Sequence, residues 1–190
     1  MNRILTSFLF LVLAAAAFAQ DGTKAEFTDS RDGKVYRTVK IGEQVWFSEN
    51  LKYDAKGSFC YGGAAKGCTE RLYPKDVAEK ACPVGWRLPS NDDFQKLYGY
   101  AGKTGVRSVG NALKAKDGWE RNGNGFDDFG FDAKPAGYCE SRKKCEYRDC
   151  FLSMWSSTDN ISWSLYCVDE DFNKGTYSRT AALSVRCVKE

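Results

Sequence analysis

Residues 81–97 read ACPVGWRLPSNDDFQKL, and we expect this stretch to form a hub of the fold. Pro83 ends any helix that precedes it. Ser90 is a favourable N-cap, and the two carboxylates in the turn that follows suit the positive end of a helix dipole. Phe94 and Leu97 lie one helical turn apart, on the side that would be buried. The stretch therefore predicts a turn followed by a capped helix.

Residues 1–19 have the pattern of a secretory signal peptide. Arg3 supplies a positive charge, residues 4–17 are apolar, and residues 17–19 form an A-x-A cleavage site. The apolar run is shorter than the roughly 20 residues of a membrane-spanning helix, and a retained N-terminal anchor is the alternative. No cysteine follows the run to carry a lipid anchor. We expect an exported protein that is not lipid-anchored and spans no membrane after signal cleavage, with residues 20–26 as a loose tail.

Length and charge predict one domain over residues 27–190 that does not bind nucleic acid. The length suits a single domain with a sizeable core. The 28 basic and 25 acidic residues are interspersed, and the net charge is only +3. Nucleic-acid binding usually requires clustered basic residues. An aromatic content of 14% and frequent glycines favour a domain rich in strands and loops.

Eight cysteines follow the signal peptide, and an even number in an exported chain indicates four disulfides. Zinc binding is the alternative, but the chain has no histidine and no CxxC pair. Sequence alone permits on the order of 100 pairings. The cysteines are Cys60, Cys68, Cys82, Cys139, Cys145, Cys150, Cys167 and Cys187.

Periodicity and turn residues predict the order of the elements. Residues 27–51 have the alternation of a strand meander, with a hairpin turn at Asp32-Gly33. We expect helices over 74–81, from the Ser90 cap to about residue 102, and over 108–116; a hairpin formed by 150–156 and 162–168; and a closing strand over 181–188.

Several motifs occur in an order that resembles one protein family. They are GKVY at 33–36, IGEQVW at 41–46, ENL at 49–51, CPVGWRLPS at 82–90, GF at 130–131, PAGY at 135–138, WSST at 155–158 and SVRCV at 184–188. Together they resemble the Fibrobacter succinogenes major paralogous domain family over nearly all of the exported chain. That family is similar to C-type-lectin-like domains, a broad group that also contains formylglycine-generating oxidases. The resemblance implies an α+β fold, with two helices on a twisted, mostly antiparallel sheet and long loops. It implies no activity.

The resemblance also indicates how the cysteines pair. C-type-lectin-like domains join a helix cysteine to the last strand, which implies a bridge between Cys82 and Cys187. Cys150 and Cys167 would lie opposite each other in the expected hairpin, which favours a cross-strand bridge. The pairs that remain are Cys60–Cys68 and Cys139–Cys145.

Catalysis is not expected. Without histidine, Ser-His and Cys-His nucleophile systems are excluded. An oxidase of the formylglycine-generating type would need reduced cysteines on its late strands, where Cys167 and Cys187 have expected partners. Paired carboxylates of a glycoside hydrolase are the remaining alternative. The candidate acids are Asp127, Asp128, Asp169, Glu170 and Asp171.

A calcium site is the next candidate, at the glycine-rich run over 122–132. Its oxygen ligands would be Asn122, Asn124, Asp127, Asp128 and Asp132. The resemblance places this run where C-type lectins carry calcium loops. However, the chain lacks their Glu-Pro-Asn or Gln-Pro-Asp triplet, and WSS at 155–157 stands where lectins have Trp-Asn-Asp. We therefore expect no cofactor, with calcium left as an alternative to a simple turn.

Aromatic side chains are the third basis for a binding site. The tryptophans within the motifs are expected in the core, and they are Trp46, Trp86 and Trp155. Four aromatic residues outside the strongest motifs are candidates to stack on a ligand, with packing at the core edge as the alternative. They are Trp119, Trp163, Tyr147 and Tyr177.

The sequence is therefore interpreted as an exported, non-enzymatic module that binds a carbohydrate or a protein at the cell surface or outside the cell. The ligand is expected to contact the loops at 119–132 and 139–149. The candidate ligand-binding residues are Trp119, Asn124, Asp127, Asp128 and Trp163. The alternatives are an oxidase or hydrolase of the wider fold group, and a structural protein of the cell envelope.

Overall fold

A computed structural model describes residues 22–63 and 68–190. The expected signal peptide at 1–19 lies outside this part of the chain. The helices are α1 (Lys75–Ala78), α2 (Asn91–Lys103) and α3 (Val109–Leu113). The strands are β1 (Lys24–Thr28), β2 (Val35–Ile41), β3 (Gln44–Phe47), β4 (Phe59–Cys60), β5 (Arg71–Pro74), β6 (Trp86–Arg87), β7 (Tyr138–Ser141), β8 (Lys144–Glu146), β9 (Phe151–Trp155), β10 (Ile161–Tyr166), β11 (Asn173–Thr176), β12 (Ala182–Leu183) and β13 (Val188–Lys189). None of the described helices is long and apolar enough to cross a membrane.

The strands form three sheets whose paired strands are antiparallel. Their orders are β1-β2-β3-β13-β6, β11-β10-β9 and β4-β5-β12-β7-β8. The end of the chain joins all three, because β12 and β13 lie in the two larger sheets and Ser184 between them bridges to Met154 of β9. The fold is therefore α+β, with few helices and mostly antiparallel sheets.

The stretch over 81–97 forms the expected turn and capped helix. Ser90 Oγ accepts a hydrogen bond from the Asp93 backbone N–H at 3.1 Å, and the Asp93 carboxylate accepts one from the Ser90 N–H at 2.7 Å. This reciprocal pair is a capping box. Partial burial opposes ionisation of Asp93, but hydrogen bonds from Arg87 and Ser90 lower its pKa to about 2. The start of α2 is thus tied to β6 through Arg87.

Four expected elements differ in the structure. Residues 24–26, expected in a loose tail, belong to β1, which pairs with β2 from Lys24 opposite Val39 to Thr28 opposite Val35. The helices expected over 74–81 and 108–116 are shorter, at Lys75–Ala78 and Val109–Leu113.

The closing strand expected over 181–188 is two short strands in different sheets. The chain leaves β12 at Ser184, whose backbone bonds both Ser153 and Trp155 of β9. It joins the first sheet only at Val188, which pairs with Trp46 and Arg87. This switch between sheets buries every residue from 181 to 188.

The structure pairs the eight cysteines as expected. The pairs are Cys60–Cys68, Cys82–Cys187, Cys139–Cys145 and Cys150–Cys167. The second pair is separated by 105 residues and joins the turn before α2 to the end of the chain.

Removing the long-range disulfide should cost more stability than removing a local one. In the chain-entropy model, the bridge with a sequence separation of 105 should stabilise the fold by about 2 kcal/mol more than the bridge with a separation of 8. We expect this difference in the free energy of unfolding between a variant with Cys82→Ala and Cys187→Ala and a control with Cys60→Ala and Cys68→Ala. Urea denaturation measures it, and equal losses would contradict the expectation.

The Asp93 cap should make stability depend on acid pH. Because the folded-state pKa of Asp93, about 2, lies below the ordinary value of 3.8 for an aspartate, its contribution is complete above pH 4 and is lost as the pH falls towards 2. Asp93→Asn should therefore be about 2 kcal/mol less stable than wild type at pH 6 and nearly equal to it at pH 2. The exposed neighbour Asp92→Asn is the control in the same urea series. A deficit independent of pH would refute this role.

Candidate functional site

Five aromatic side chains line a cleft of about 280 Å³ on the surface. The residues of this aromatic cleft come from β7, from the loop after β8, from the start of β9, from the end of β10 and from the residue after β11. They are Tyr138, Tyr147, Phe151, Tyr166 and Tyr177. The cleft is therefore assembled from two of the three sheets.

The rings of the aromatic cleft form a continuous set of contacts. The Tyr138 ring centroid lies 5.2 Å from that of Tyr177, 5.8 Å from Phe151 and 6.3 Å from Tyr147. Tyr166 closes the set, with centroids 5.8 Å from Phe151 and 6.2 Å from Tyr147. Most of these pairs are tilted or edge-to-face, the arrangement that aromatic quadrupoles favour. The cleft therefore has a defined shape before any ligand enters it.

The ring faces remain accessible. Tyr147 is 52% exposed, and the other four side chains are half-buried. Tyrosine combines an apolar ring with a hydroxyl that prefers a polar partner. The cleft thus offers flat apolar faces and several hydroxyl groups to a ligand.

Two of the cleft hydroxyl groups, those of Tyr138 and Tyr177, have raised pKa values. Burial and the neighbouring Glu146 carboxylate raise the pKa of Tyr138 to about 12, and its hydroxyl donates to Glu146 Oε2 at 3.1 Å. Burial also raises the pKa of Tyr177. A ligand would therefore meet the neutral hydroxyl groups of Tyr138 and Tyr177 beside the Glu146 carboxylate.

Tyr147 adopts an unusual backbone conformation. Its φ of 58° lies in the left-handed region, which is unfavourable for a bulky side chain. Its carbonyl accepts hydrogen bonds from the N–H groups of Cys150 at 3.1 Å and Phe151 at 3.0 Å, which close the turn. Two disulfides hold the chain on either side of it: Cys139–Cys145 and Cys150–Cys167. The fold thus maintains a strained residue whose ring is exposed, and such strain is concentrated at functional sites.

Gly137 allows the strands of the cleft to approach closely. It has a φ of 64°, and a Cβ atom there would lie 2.5 Å from the Glu146 carbonyl oxygen and 2.6 Å from the Tyr61 ring. Any other residue would push β7 away from the segment after β8, and with it Tyr138 away from Tyr147.

The structure changes the assignment of the expected aromatic ligand residues. Trp119 and Trp163 are only 5% and 6% exposed, so their rings belong to the core and offer no face to a ligand. The Trp119 indole N–H donates to the Ala133 carbonyl at 2.9 Å, and Trp163 stacks on Phe94 at 5.9 Å. The other two candidates, Tyr147 and Tyr177, both line the aromatic cleft.

Three cleft residues were not singled out from the sequence. Tyr138 precedes Cys139, Phe151 follows Cys150, and Tyr166 precedes Cys167. Neighbours in a strand point to opposite faces. An aromatic residue next to a buried, disulfide-bonded cysteine is therefore placed on the outer face, and this pattern is the signal that could have identified them.

Two of the oxygen ligands expected for calcium, Asn124 and Asp127, are engaged within their own loop. Asn124 Oδ1 accepts from the Trp119 N–H at 3.0 Å, and Asp127 Oδ1 accepts from the Asp132 N–H at 2.7 Å. Asp132 also forms an ion pair with Arg37 at 2.9 Å, while the Asp128 side chain is exposed. Within residues 22–63 and 68–190, no group of three or more Asp, Glu, Cys or His side chains is arranged to hold a metal ion.

The acidic residues over 169–171 are part of a turn that packs on α3. Asp169 accepts hydrogen bonds from the Asp171 N–H at 2.9 Å and from the Asn173 side chain at 3.0 Å. A Cβ atom at Gly110 would lie 2.3 Å from the Glu170 carbonyl oxygen, so this turn lies directly against α3. Asp127 lines a separate pocket with Asp132. The candidate acids at 127–128 and those at 169–171 thus contact different parts of the protein.

Fold and cleft together define a disulfide-stabilised α+β domain with an aromatic surface site. The chain belongs to the Fibrobacter succinogenes major domain family, whose model matches residues 39–189. The matched region includes every residue of the aromatic cleft. Neither a curated protein nor a solved structure matches this chain.

Alanine usually gives a more stable variant than glycine, but the left-handed backbone of Tyr147 should make glycine the more stable substitution there. At a φ of 58° a Cβ atom is unfavourable, so Tyr147→Gly should be more stable than Tyr147→Ala by about 1 kcal/mol. The same pair of substitutions at Tyr166, within β10, is the control, and there alanine should be the more stable. Urea unfolding of the four variants measures both differences. Alanine being the better residue at both positions would show that Tyr147 carries no strain.

Proposed function

We propose that this protein is an exported, non-enzymatic binding module of the C-type-lectin-like class, and that its aromatic cleft binds carbohydrate. The observation that carries the proposal is the open set of five aromatic rings, Tyr138, Tyr147, Phe151, Tyr166 and Tyr177. Sugar rings present C–H groups with partial positive charge on their flat faces, and these groups are attracted to the negative face of an aromatic ring. Sugar hydroxyl groups would bond to the tyrosine hydroxyls and to Glu146.

The dimensions and rigidity of the cleft support this proposal. Its volume of about 280 Å³ is at the lower end of the range for ligand clefts, roughly 300–1,000 Å³, and suits one sugar ring of a longer chain. Two disulfides, Cys139–Cys145 and Cys150–Cys167, hold its walls. A site that is ordered before binding loses less conformational entropy when the ligand arrives.

The disulfides also support export and a role without catalysis. Four disulfides persist in an oxidising compartment and are rare in the cytosol. All eight cysteines are paired, whereas a cysteine-dependent oxidase needs a reduced thiol. A histidine-based nucleophile is also ruled out, because the chain contains no histidine.

A proline-rich protein segment is the second candidate ligand. Polyproline helices bind in grooves lined with aromatic side chains, because their conformation is already extended and ordered. The row of tyrosines in the cleft is the observation that favours it. Testing a proline-rich peptide alongside the glycans distinguishes the two candidate ligands.

Carbohydrate binding should depend on the exposed faces of the cleft. We expect a glycan array to identify a ligand of the folded protein, and Tyr147→Ala and Tyr177→Ala each to weaken its binding at least tenfold, about 1.4 kcal/mol, in calorimetry. Tyr98→Ala is the matched control, because Tyr98 is a 42% exposed tyrosine on α2 that does not line the cleft.

Three results would contradict the proposal. One is that no glycan binds, and a second is that the cleft variants bind as tightly as the Tyr98→Ala control. The third is that a proline-rich peptide binds in the cleft and glycans do not, which would assign the cleft to a protein ligand.

A further inference from the structure

Four rings of the aromatic cleft form a closed circuit in which each ring lies next to the following one. The centroids of Tyr138 and Tyr147 are 6.3 Å apart, and those of Tyr147 and Tyr166 are 6.2 Å apart. Phe151 completes the circuit, because its centroid lies 5.8 Å from both Tyr166 and Tyr138. Three of the four pairs have interplanar angles of 69°, 75° and 85°. The rings therefore stand as steep walls and do not form one flat platform.

This arrangement suits a compact cationic group. The flat face of a sugar stacks on one ring or on a coplanar platform, whereas steeply inclined rings surround a smaller group. Aromatic cages of this kind bind ammonium ions, and the attraction acts within about 6 Å of a ring centroid. Because neighbouring centroids in the circuit are 5.8–6.3 Å apart, a cation near its centre would be attracted to several rings at once.

Glu146 adds a negative charge beside the circuit. Its Oε2 atom accepts a hydrogen bond from the Tyr138 hydroxyl at 3.1 Å, and the two residues lie opposite each other in the β7–β8 pair. The side chain is partly buried. It forms no ion pair within residues 22–63 and 68–190. A cleft tyrosine thus positions a carboxylate whose charge no ion pair neutralises.

Two arginines close in sequence to cleft residues have carboxylate partners of their own. Arg148 directly follows Tyr147, but it pairs with Glu70 at 2.8 Å. Arg179 pairs with Glu79 at 3.3 Å. Neither arginine lines the cleft. Two cations that would repel an ammonium group are therefore neutralised outside the cleft.

Carboxylates also contribute to the raised pKa values of two cleft tyrosines. Burial is the largest cause of the raised pKa of Tyr138, and Glu146 and Glu140 raise it further. Burial is again the largest cause of the raised pKa of Tyr177, to which Glu140 adds. Negative charges that disfavour a phenolate favour a cation at the same place. The electrostatics of the cleft therefore agree with the geometry of its rings.

We propose that the carbohydrate in the aromatic cleft carries a protonated amino sugar, a specification that rests on the proposed carbohydrate site. The ammonium group would lie against the rings of Tyr138 and Tyr147 and donate to the Glu146 carboxylate. Acetylation of the amine removes this charge, and an acidic sugar would be repelled by Glu146. The cleft would thus select glycans with free amines over acetylated, neutral and acidic ones.

The test compares oligomers of glucosamine, N-acetylglucosamine and glucose with the same linkage and length, so that one substituent changes from amine to acetamide to hydroxyl. Calorimetry uses the folded, disulfide-bonded protein at a pH low enough to protonate the sugar amine. The glucosamine oligomer should bind at least about tenfold more tightly than either of the others. Added salt should weaken its binding more than that of the glucose oligomer, because salt screens charges.

Substitution of Glu146 separates contact with the ligand from a role in the fold. Glu146→Gln keeps an acceptor for the Tyr138 hydroxyl but removes the charge. It should lower affinity for the glucosamine oligomer at least about tenfold, and it should leave the affinity for the glucose oligomer and the urea midpoint unchanged. Glu43→Gln, at an exposed position in the turn between β2 and β3, is the matched control and should bind like wild type.

The proposal is overturned if the glucosamine oligomer does not bind, or binds no more tightly than the other two. It is also overturned if Glu146→Gln retains the wild-type preference for the amine. In each case the carbohydrate site stands as long as another glycan binds in the cleft and Tyr147→Ala weakens that binding. If no glycan binds at all, both proposals fail.

Discussion

The buried guanidinium group of Arg186 is the constraint on which the rest of the structure depends. The side chain is completely buried between the two largest hydrophobic clusters, one containing Phe131 and the other Phe47. It donates to the carbonyl oxygens of both residues and, at 2.9 Å, to Asn50 Oδ1, and it lies 4.5 Å from the centre of the Phe131 ring. Burial lowers its pKa to about 10, so the group is charged at neutral pH. A buried charge without partners would be costly, and the end of β3 and the end of the 122–132 loop must therefore converge on it.

Two buried lysines repeat this arrangement. Lys75 donates to the Ser156 carbonyl, and its ammonium group lies 5.5 Å from the centre of the Trp155 ring. Lys114 donates to the carbonyls of Asp169 at 2.9 Å and of Tyr166 at 3.3 Å. Each cation holds irregular backbone in place through carbonyl oxygens. Tyr166 lines the aromatic cleft, so the buried Lys114 also holds the backbone at the edge of the cleft.

Elements with local signals could be predicted from the sequence, and elements decided by distant contacts could not. The capped helix α2 and the β9–β10 hairpin follow from capping residues and alternation within a few positions. The start of β1, residues 24–26, was expected in a loose tail because these residues are exposed and carry no pattern of burial. The closing strand is divided because Ser184 must bond β9 and Arg186 must reach the core.

The same limit applies to the candidate site. Trp119 and Trp163 lie outside the family motifs and were therefore candidates for a surface site. Their indole N–H groups instead donate to Ala133 and Asn91, which are distant in the sequence. Exposure could not be inferred from position in the chain. Tyr147 and Tyr177 were recognised as candidates, whereas the cleft that unites them depends on pairing between strands from different parts of the chain.

Left-handed backbone conformations occur at the aromatic cleft and in the loop over 121–132. In the described part of the chain, six non-glycine residues have a positive φ: Arg121, Asn122, Asp127, Asp132, Tyr147 and Asp159. Tyr147 lines the aromatic cleft, and Asp127 and Asp132 line a separate pocket of about 420 Å³. Left-handed conformations at such residues persist only where surrounding contacts enforce them. Here the contacts are identifiable: two disulfides beside Tyr147, and the bond from the Asp132 N–H to Asp127 beside the Arg37 ion pair. The fold thus keeps unfavourable backbone conformations at Tyr147 and Asp127 through these contacts, and both side chains remain at least partly accessible to solvent.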